Sequence, residues 1–286
     1  MKLADLCRFG ADSICAALAL DPRVARLEAQ ILLGKSLGGR SRAWLIAHDR
    51  DPLTPPQAAA FQELLGRRLA GEPVAYILGE REFYGMTFKV TPAVLIPRPE
   101  TELLVELALA RLSKDSPARV LDLGTGSGAV ALSIAAQRPQ AMVTAVDISP
   151  AALEVARENA QRLAISNVRF LQGAWFTALP PQDKFDLIVS NPPYIAAFDP
   201  HLAQGDVRFE PAGALASGTD GLDDIRTIVS DAPAYLVPGG WLLFEHGYDQ
   251  AAACRALLEQ AGYVAVANST DLAGIERVTL GQSRIN

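Results

Sequence analysis

The sequence is poor in the residues from which covalent scaffolds and metal centres are built, with three cysteines and three histidines among 286 residues. Cys7, Cys15 and Cys254 have no C-x-x-C spacing and no histidine cluster beside them, which argues against a disulfide framework and a metal site and reads as buried thiols in a reducing compartment. Long apolar runs are missing too. No stretch reaches the roughly 18 apolar residues of a membrane span, and Asp5, Arg8 and Asp12 interrupt the apolar positions of the amino terminus, unlike a leader peptide. There is no cationic excess either. With 26 Lys and Arg against 32 Asp and Glu, the net charge is −6, so broad phosphate-backbone binding, which clustered cations supply, is not expected. These absences place the chain in the cytoplasm, with neither a membrane nor a nucleic acid as its direct partner.

What is present reads as two kinds of structure in one chain, as its length leads one to expect. Residues 1–75 are helical: Leu3, Leu6, Cys7, Ile14 and Leu18, then Val24, Leu27, Ile31 and Leu32, recur at helical spacing, and Asp21-Pro22 marks an N-cap followed by proline at the first helical position. Gly38-Gly39 ends the second helix, Ser41 to Ala47 gives a short third, and Thr54-Pro55-Pro56 opens another that runs to about Ala70. Residues 76–97 read as a hairpin linker, with Glu82-Phe83-Tyr84 and Thr87 to Val90 separated by Gly85-Met86. A helix over Leu103 to Leu112 follows.

From Arg119 strands and helices alternate. Strands are expected at Val120–Leu123, Met142–Val146, Val168–Leu171, Phe185–Ser190 and Trp241–Glu245, with Tyr263–Ala267 and Glu276–Leu280 as a closing pair. Helices are expected at Ala129–Gln137, Pro150–Leu163, Leu222–Leu236 and Gln250–Ala261, and a long loop at Ile195 to Asp220. This alternation specifies an α/β fold with a mostly parallel sheet covered on both faces, in a domain over 98–286.

Two motifs carry chemistry. Gly124-Thr125-Gly126-Ser127-Gly128 leaves a strand and opens a helix, so its backbone can approach a ligand and the helix amino terminus can meet polar atoms. Asp147 ends the next strand roughly 20 residues beyond the last glycine, the spacing of a carboxylate that bonds a ribose diol. A dinucleotide also fits this cradle, since Ala129 completes G-x-G-x-x-A, and a dehydrogenase stays open on the cradle alone. The second motif, Asn191-Pro192-Pro193-Tyr194, follows the fourth strand. Two prolines fix φ and remove two donors, Asn191 brings an amide that donates and accepts, and Tyr194 brings a flat ring. That suits a clamp for a planar amide or amine nitrogen, for which hydride transfer has no use. S-adenosylmethionine with a nitrogen nucleophile fits both motifs.

Together the cradle, Asp122 before it, Asp147 and Asn191-Pro-Pro-Tyr resemble the class I (Rossmann-like) methyltransferases that act on planar nitrogens. More narrowly, Glu72-Pro-Val-Ala-Tyr-Ile-Leu-Gly-Glu, Ile96-Pro-Arg-Pro-Glu-Thr-Glu, Gln204 to Pro211 and Asp271 to Arg277 resemble the peptide chain release factor glutamine methyltransferase family (protein N5-glutamine methyltransferases). The resemblance implies methyl transfer from S-adenosyl-L-methionine to the side-chain nitrogen of the glutamine in the Gly-Gly-Gln motif of class I release factors, leaving S-adenosyl-L-homocysteine. It implies an antiparallel last strand and a helical domain that docks the release factor. By the same resemblance residues 124–128, Asp147, Trp175 and Asn191 contact the cofactor, while Asn191, Pro192, Pro193 and Tyr194 hold the glutamine and carry catalysis. Ala174 departs from the acidic residue that similar proteins often carry before the aromatic position. A sibling family methylates a ribosomal-protein glutamine, and DNA adenine N6-methyltransferases use a similar clamp; both stay open as alternatives. Arg98, Glu100 and the loop residues Arg208, Phe209, Glu210 and Pro211 are further substrate-side candidates, and His246 is read as a buried histidine.

Overall fold

A computed structural model describes residues 2–115 and 117–285. The chain divides into two compact units, Met1–Gly79 with Ala203–Phe209, and Glu80–Leu202 with Glu210–Asn286.

The first unit is helical: α1 (Leu3–Leu18), α2 (Pro22–Ser36), α3 (Arg42–Ala47), α4 (Pro55–Leu69) and α5 (Val74–Leu78). Its boundaries follow local chemistry. Asp21 caps α2 by accepting from Arg23 N at 2.8 Å, Pro22 and Pro55 sit where a helix needs no N–H, and Gln57 reaches back to Thr54 N at 3.0 Å. Leu6, Ile14, Leu32, Leu33 and Phe61 are fully buried in the core. A Cβ at Gly10 would stand 2.6 Å from the Phe61 ring, so this glycine lets α1 and α4 approach. Cys254 is buried, whereas Cys7 and Cys15 are only half-buried, because α1 turns its Leu3, Leu6 and Ile14 edge inward. Arg68, 2 % exposed, pairs with Glu28 and Asp206, each at 2.8 Å, and also donates to the Gly71 and Glu72 carbonyls. A buried guanidinium persists only when paired in this way. It thereby fastens the 203–209 segment to the helical unit.

The second unit begins with a hairpin of β1 (Glu80–Phe83) and β2 (Met86–Lys89). Phe83 pairs with Met86, so the turn is Tyr84-Gly85 rather than the expected Gly85-Met86. Both turn residues have positive φ, 51° and 71°, as a two-residue turn matched to strand twist demands. The seven-stranded sheet contains β3 (Arg119–Leu123), β4 (Met142–Asp147), β5 (Val168–Gln172), β6 (Phe185–Ser190), β7 (Leu236–Glu245), β8 (Val264–Thr270) and β9 (Glu276–Gln282). Its order is β5-β4-β3-β6-β7-β9-β8; β3 to β7 run parallel and β9 runs antiparallel to both neighbours. Helices α6 (Glu102–Leu109), α7 (Ala129–Gln137), α8 (Pro150–Arg162), α9 (Asp223–Asp231) and α10 (Ala251–Gln260) cover it, over two separate apolar clusters. This is the Rossmann-like α/β fold expected from the alternation, with its last strand antiparallel.

Three boundaries moved. The helix expected to reach Leu236 ends at Asp231, because Pro233 has no N–H to continue it and a 3-10 turn takes Ala232–Ala234. The strand expected from Trp241 begins at Leu236 and carries an irregularity where Gly239 adopts a φ of 79°. Helix α5 occupies residues read as the approach to the hairpin, started at Pro73 and stopped by Gly79 at a φ of 75°.

Candidate active site

Register assembles the site. In the parallel ladder Leu123 pairs with Val146 on one side and with Ser190 on the other, and Ser190 pairs with Phe244. Gly124, Asp147, Asn191 and Glu245 therefore leave four adjacent strands at one level. The crevice at the carboxyl edge of such a sheet, where strand order reverses, is where ligands bind. A cavity of about 400 Å³ opens there, the size of a small-molecule site.

The cradle side is shaped by backbone. Gly124 and Gly126 have φ of 72° and 55°, and a Cβ on Gly126 would meet nothing, so the turn lies open toward the cavity. Asp147 accepts from Gly126 N through Oδ2 at 2.8 Å and from Ser149 N through Oδ1 at 2.9 Å, so this carboxylate braces the turn. Asn159, fully buried, donates to the Ser127 carbonyl at 2.9 Å and exchanges two hydrogen bonds with the Lys89 backbone, tying cradle and hairpin to α8. Asp122, 2 % exposed, accepts from the Thr125 hydroxyl at 2.7 Å. Burial pushes its carboxyl up to about 7; the hydrogen bonds from Thr125 and the Ala131 N–H oppose that rise and the Asp147 charge adds to it. Trp175 holds a positive φ of 49°, unusual for a bulky residue, and a Cβ on Gly124 would stand 3.4 Å from its ring.

The other side is built from side chains. Asn191 Nδ2 donates to Thr101 Oγ1 at 3.1 Å, and Tyr194 Oη donates to Glu245 Oε1 at 3.3 Å. Glu245 is 1 % exposed, and burial raises its carboxyl to about 7, against the Thr101 and Tyr194 hydroxyls and Arg277 and with the repulsion of Glu100. Burial also raises the Tyr194 phenol, reinforced by Glu245, so it stays a neutral donor. The Ser190 hydroxyl donates to the Leu123 carbonyl at 2.8 Å, joining the two strand ends from which the cradle and Asn191 emerge.

Of the residues singled out from sequence, Gly124, Thr125, Gly126, Ser127, Asp147, Trp175, Asn191 and Pro193 line the cavity. Gly128, Pro192 and Tyr194 adjoin these residues in sequence and are not among the lining. A Cβ on Gly128 would come within 3.0 Å of Leu132 and 3.3 Å of Ala156, so its space is taken by helix packing. Arg98 lines the cavity and is bonded to the buried carboxylate of Glu210, which also accepts from Ile96 N at 3.2 Å. Pro211 is in the lining, Glu100 is exposed, and Arg208 lies in the helical unit, donating to Ala70 O at 3.5 Å. His246 is fully buried, with Nδ1 on the Gly247 carbonyl at 2.8 Å and Nε2 without a partner among the described residues. Among the described residues no group of three His, Cys, Asp or Glu could hold a metal ion, and no helix is long and apolar enough to cross a membrane.

Sequence reasoning missed Thr101, Ile148, Asp224 and Glu245. Glu245 had a signal, since it ends a buried strand as Asp147 does; Thr101 had none.

A family model described as a methyltransferase domain matches residues 114–262, and one described as the PrmC N-terminal domain matches residues 16–79. The chain is 60 % identical to the release factor glutamine methyltransferase of Bordetella pertussis over 92 % of its own length and 97 % of that protein's. It is 53 % identical to that of Xylella fastidiosa, over 92 % and 95 %. Among solved structures it resembles the T. thermophilus 16S rRNA methyltransferase RsmC in complex with AdoMet and guanosine, with a TM-score of 0.54 and 25 % identity, over 72 % of this chain and 50 % of that one.

Proposed function

This chain belongs to the release factor glutamine methyltransferases, and on that premise we propose how its own residues carry out S-adenosylmethionine-dependent methylation of the glutamine in the Gly-Gly-Gln motif of a class I release factor. One observation carries the proposal: the ladder sets Gly124 beside Asn191 at the mouth of one cavity, so a cofactor cradle and a nitrogen clamp share a wall.

The cavity suits S-adenosylmethionine. Gly124 and Gly126 offer a backbone that no Cβ crowds, Asp147 still has lone pairs for a ribose diol, Trp175 presents an indole face to an adenine, and Asp122 favours a nearby positive charge. When bound, the cofactor supplies a methyl group made electrophilic by its sulfonium. The fit is made without an acidic residue at 174, so Ala174 leaves the adenine amine to other acceptors. RsmC, similar to this chain with a TM-score of 0.54, is a structure in complex with AdoMet, which supports this reading.

The nucleophile is an amide nitrogen whose lone pair is delocalised into its carbonyl, so the enzyme's task is positioning and electronic bias. Asn191 Oδ1 and the Pro192 carbonyl accept the two N–H groups of the glutamine, which favours pyramidal nitrogen and directs its lone pair into the cavity. Adjacent prolines hold these acceptors rigid before substrate arrives. Tyr194 supports the clamp through its hydroxyl, which donates to Glu245, and its ring packs against the amide plane. The proton leaves the nitrogen during or after transfer, giving N5-methylglutamine. Residues 1–75 are proposed as the docking element for the release factor, in the cytoplasm where translation ends.

The test is mass spectrometry of release factors, and of ribosomal proteins, from a deletion strain and from that strain carrying this gene. Methylation restored at Gly-Gly-Gln supports the proposal; methylation restored only on a ribosomal protein overturns it.

A further inference from the structure

We propose that Arg98 binds the substrate by donating to the side-chain carbonyl of the target glutamine, and that Glu210 is the positioning residue that holds its guanidinium for that contact. The inference rests on the clamp reading above and concerns the end of the glutamine amide that the clamp leaves unbound.

A primary amide that enters a cavity loses water at both ends. Asn191 Oδ1 and the Pro192 carbonyl are acceptors and serve the nitrogen. The carbonyl oxygen still needs a donor, because an acceptor buried without one is destabilising. Asn191 cannot supply it, since its Nδ2 is taken up by Thr101 Oγ1 at 3.1 Å. The segments that join Asn191 in the lining, residues 93–98 and 211–214, bring mostly apolar groups such as Val94, Leu95, Pro97 and Pro211. Arg98 is the one cationic side chain among the described residues that line the cavity.

Local structure places Arg98 near the clamp. It precedes the 3-10 turn Pro99–Thr101, and its carbonyl accepts from Thr101 N at 3.1 Å. Two hydrogen bonds, this one and that from Asn191 to Thr101, therefore connect Arg98 with Asn191. Its charge reaches the clamp as well: burial raises the Tyr194 phenol, and Arg98 is among the groups that oppose the rise.

The guanidinium is tethered without being used up. Its Nη2 donates to Glu210 Oε1, and the Glu210 side chain has no exposure, whereas that of Arg98 is 32 % exposed. A guanidinium carries five N–H donors, and Arg98 makes no other side-chain hydrogen bond among the described residues. Glu210 also accepts from Ile96 N at 3.2 Å, so one buried carboxylate fixes both the guanidinium and the backbone that leads to it. With its charge balanced by Glu210, Arg98 offers the cavity a fork of N–H groups suited to a neutral oxygen more than to the carboxylate of the cofactor.

The test compares two release factors, the natural one and one whose Gly-Gly-Gln glutamine is replaced by leucine, which lacks the amide. Binding of each to the parent enzyme and to its variants is measured by calorimetry with S-adenosyl-L-homocysteine present. Substituting Arg98 leaves the Asn191 and Pro192 acceptors in place, so the comparison isolates the contact made by Arg98. Arg98→Met should weaken binding of the glutamine form about tenfold or more and of the leucine form less than twofold, with S-adenosylmethionine affinity unchanged and kcat lowered. Glu210→Gln removes the charged anchor and should shrink the same preference for glutamine over leucine, which a loss of structure alone would not do. Equal losses on both release factors in Arg98→Met would overturn the proposal. So would weakened cofactor binding, which would assign Arg98 to the cofactor's carboxylate instead. An intact preference in Glu210→Gln would overturn the role given to Glu210. Should Arg98→Met fail to fold, Arg98→Lys decides by the same comparison, because lysine keeps the charge and lacks the fork that serves two oxygens at once. Failure of the parent protein to methylate any release factor would instead sink the functional reading, a result distinct from these.

Discussion

The two halves of the carboxyl edge of the parallel sheet line one cavity and are built by opposite means. On the β3–β4 side the surface is largely main chain: glycines with positive φ, braced by one carboxylate that takes two nearby N–H groups. On the β6–β7 side it is side chain against side chain, with Asn191 held by a threonine 90 positions earlier and Tyr194 by a glutamate 51 positions later. A site made of backbone fails when an atom is added. A site made of side chains fails when a hydrogen bond is taken away.

The largest expected effect lies on the side-chain half. Asn191→Ala removes one preorganised acceptor and should lower kcat by about 10² to 10³, while calorimetry finds cofactor affinity unchanged; near-normal turnover would end the clamp assignment. Asp147→Ala tests the other half. Hydrogen bonds to a charged group contribute about 1.5 to 3 kcal/mol each, so freeing Gly126 and Ser149 should weaken cofactor binding by one to two orders of magnitude, with turnover at saturation much less affected. If instead kcat fell and binding did not, the two halves would not be separable as described.

Gly128→Ala should act on stability. It puts a side chain at a φ of 83° and a Cβ 3.0 Å from Leu132, and strain of this kind costs roughly 1 to 3 kcal/mol. A melting temperature within a degree of the parent would show that α7 shifts freely. A further effect on stability concerns pH. The folded-state carboxyl of Asp122 is raised to about 7, so the folded chain holds this proton more tightly than the unfolded chain does. Its contribution to stability is therefore complete below about pH 4 and is lost as the pH rises through about 7, at a rate on the order of 1 kcal/mol per unit. Asp122→Asn should flatten that part of a denaturation profile measured without cofactor; parallel curves for parent and variant would refute the assignment.

The difference between the halves also explains what could be read in advance. A glycine cradle and the aspartate after the next strand are local in sequence, because one strand, one turn and one helix place them, and each step carries its own signature of apolar run, glycines and helix. Asn191-Pro-Pro-Tyr was legible as a clamp for the same reason. Its support was not. Thr101 sits in a 3-10 turn that looks like any helix entrance, and it meets Asn191 only because β6 and α6 pack in one unit. The buried carboxylate that receives the Tyr194 phenol lies 51 positions later, a partner that residue type alone does not announce. The Tyr84-Gly85 turn and the end of α9 at Pro233 moved by a few residues for purely local reasons that the pattern of apolar residues does not resolve.

By itself, the sequence determined the alternation of strands and helices, the glycine turn after β3 and the Asn-Pro-Pro-Tyr turn after β6, since each depends on residues adjacent along the chain. Only the tertiary structure decided that Gly124 and Asn191 leave neighbouring strands at one level, that Asn191 meets Thr101 and that Tyr194 meets Glu245. Strand order is a global choice, and hydrogen bonds between distant segments exist only once the sheet and its packed helices have brought them within about 3 Å.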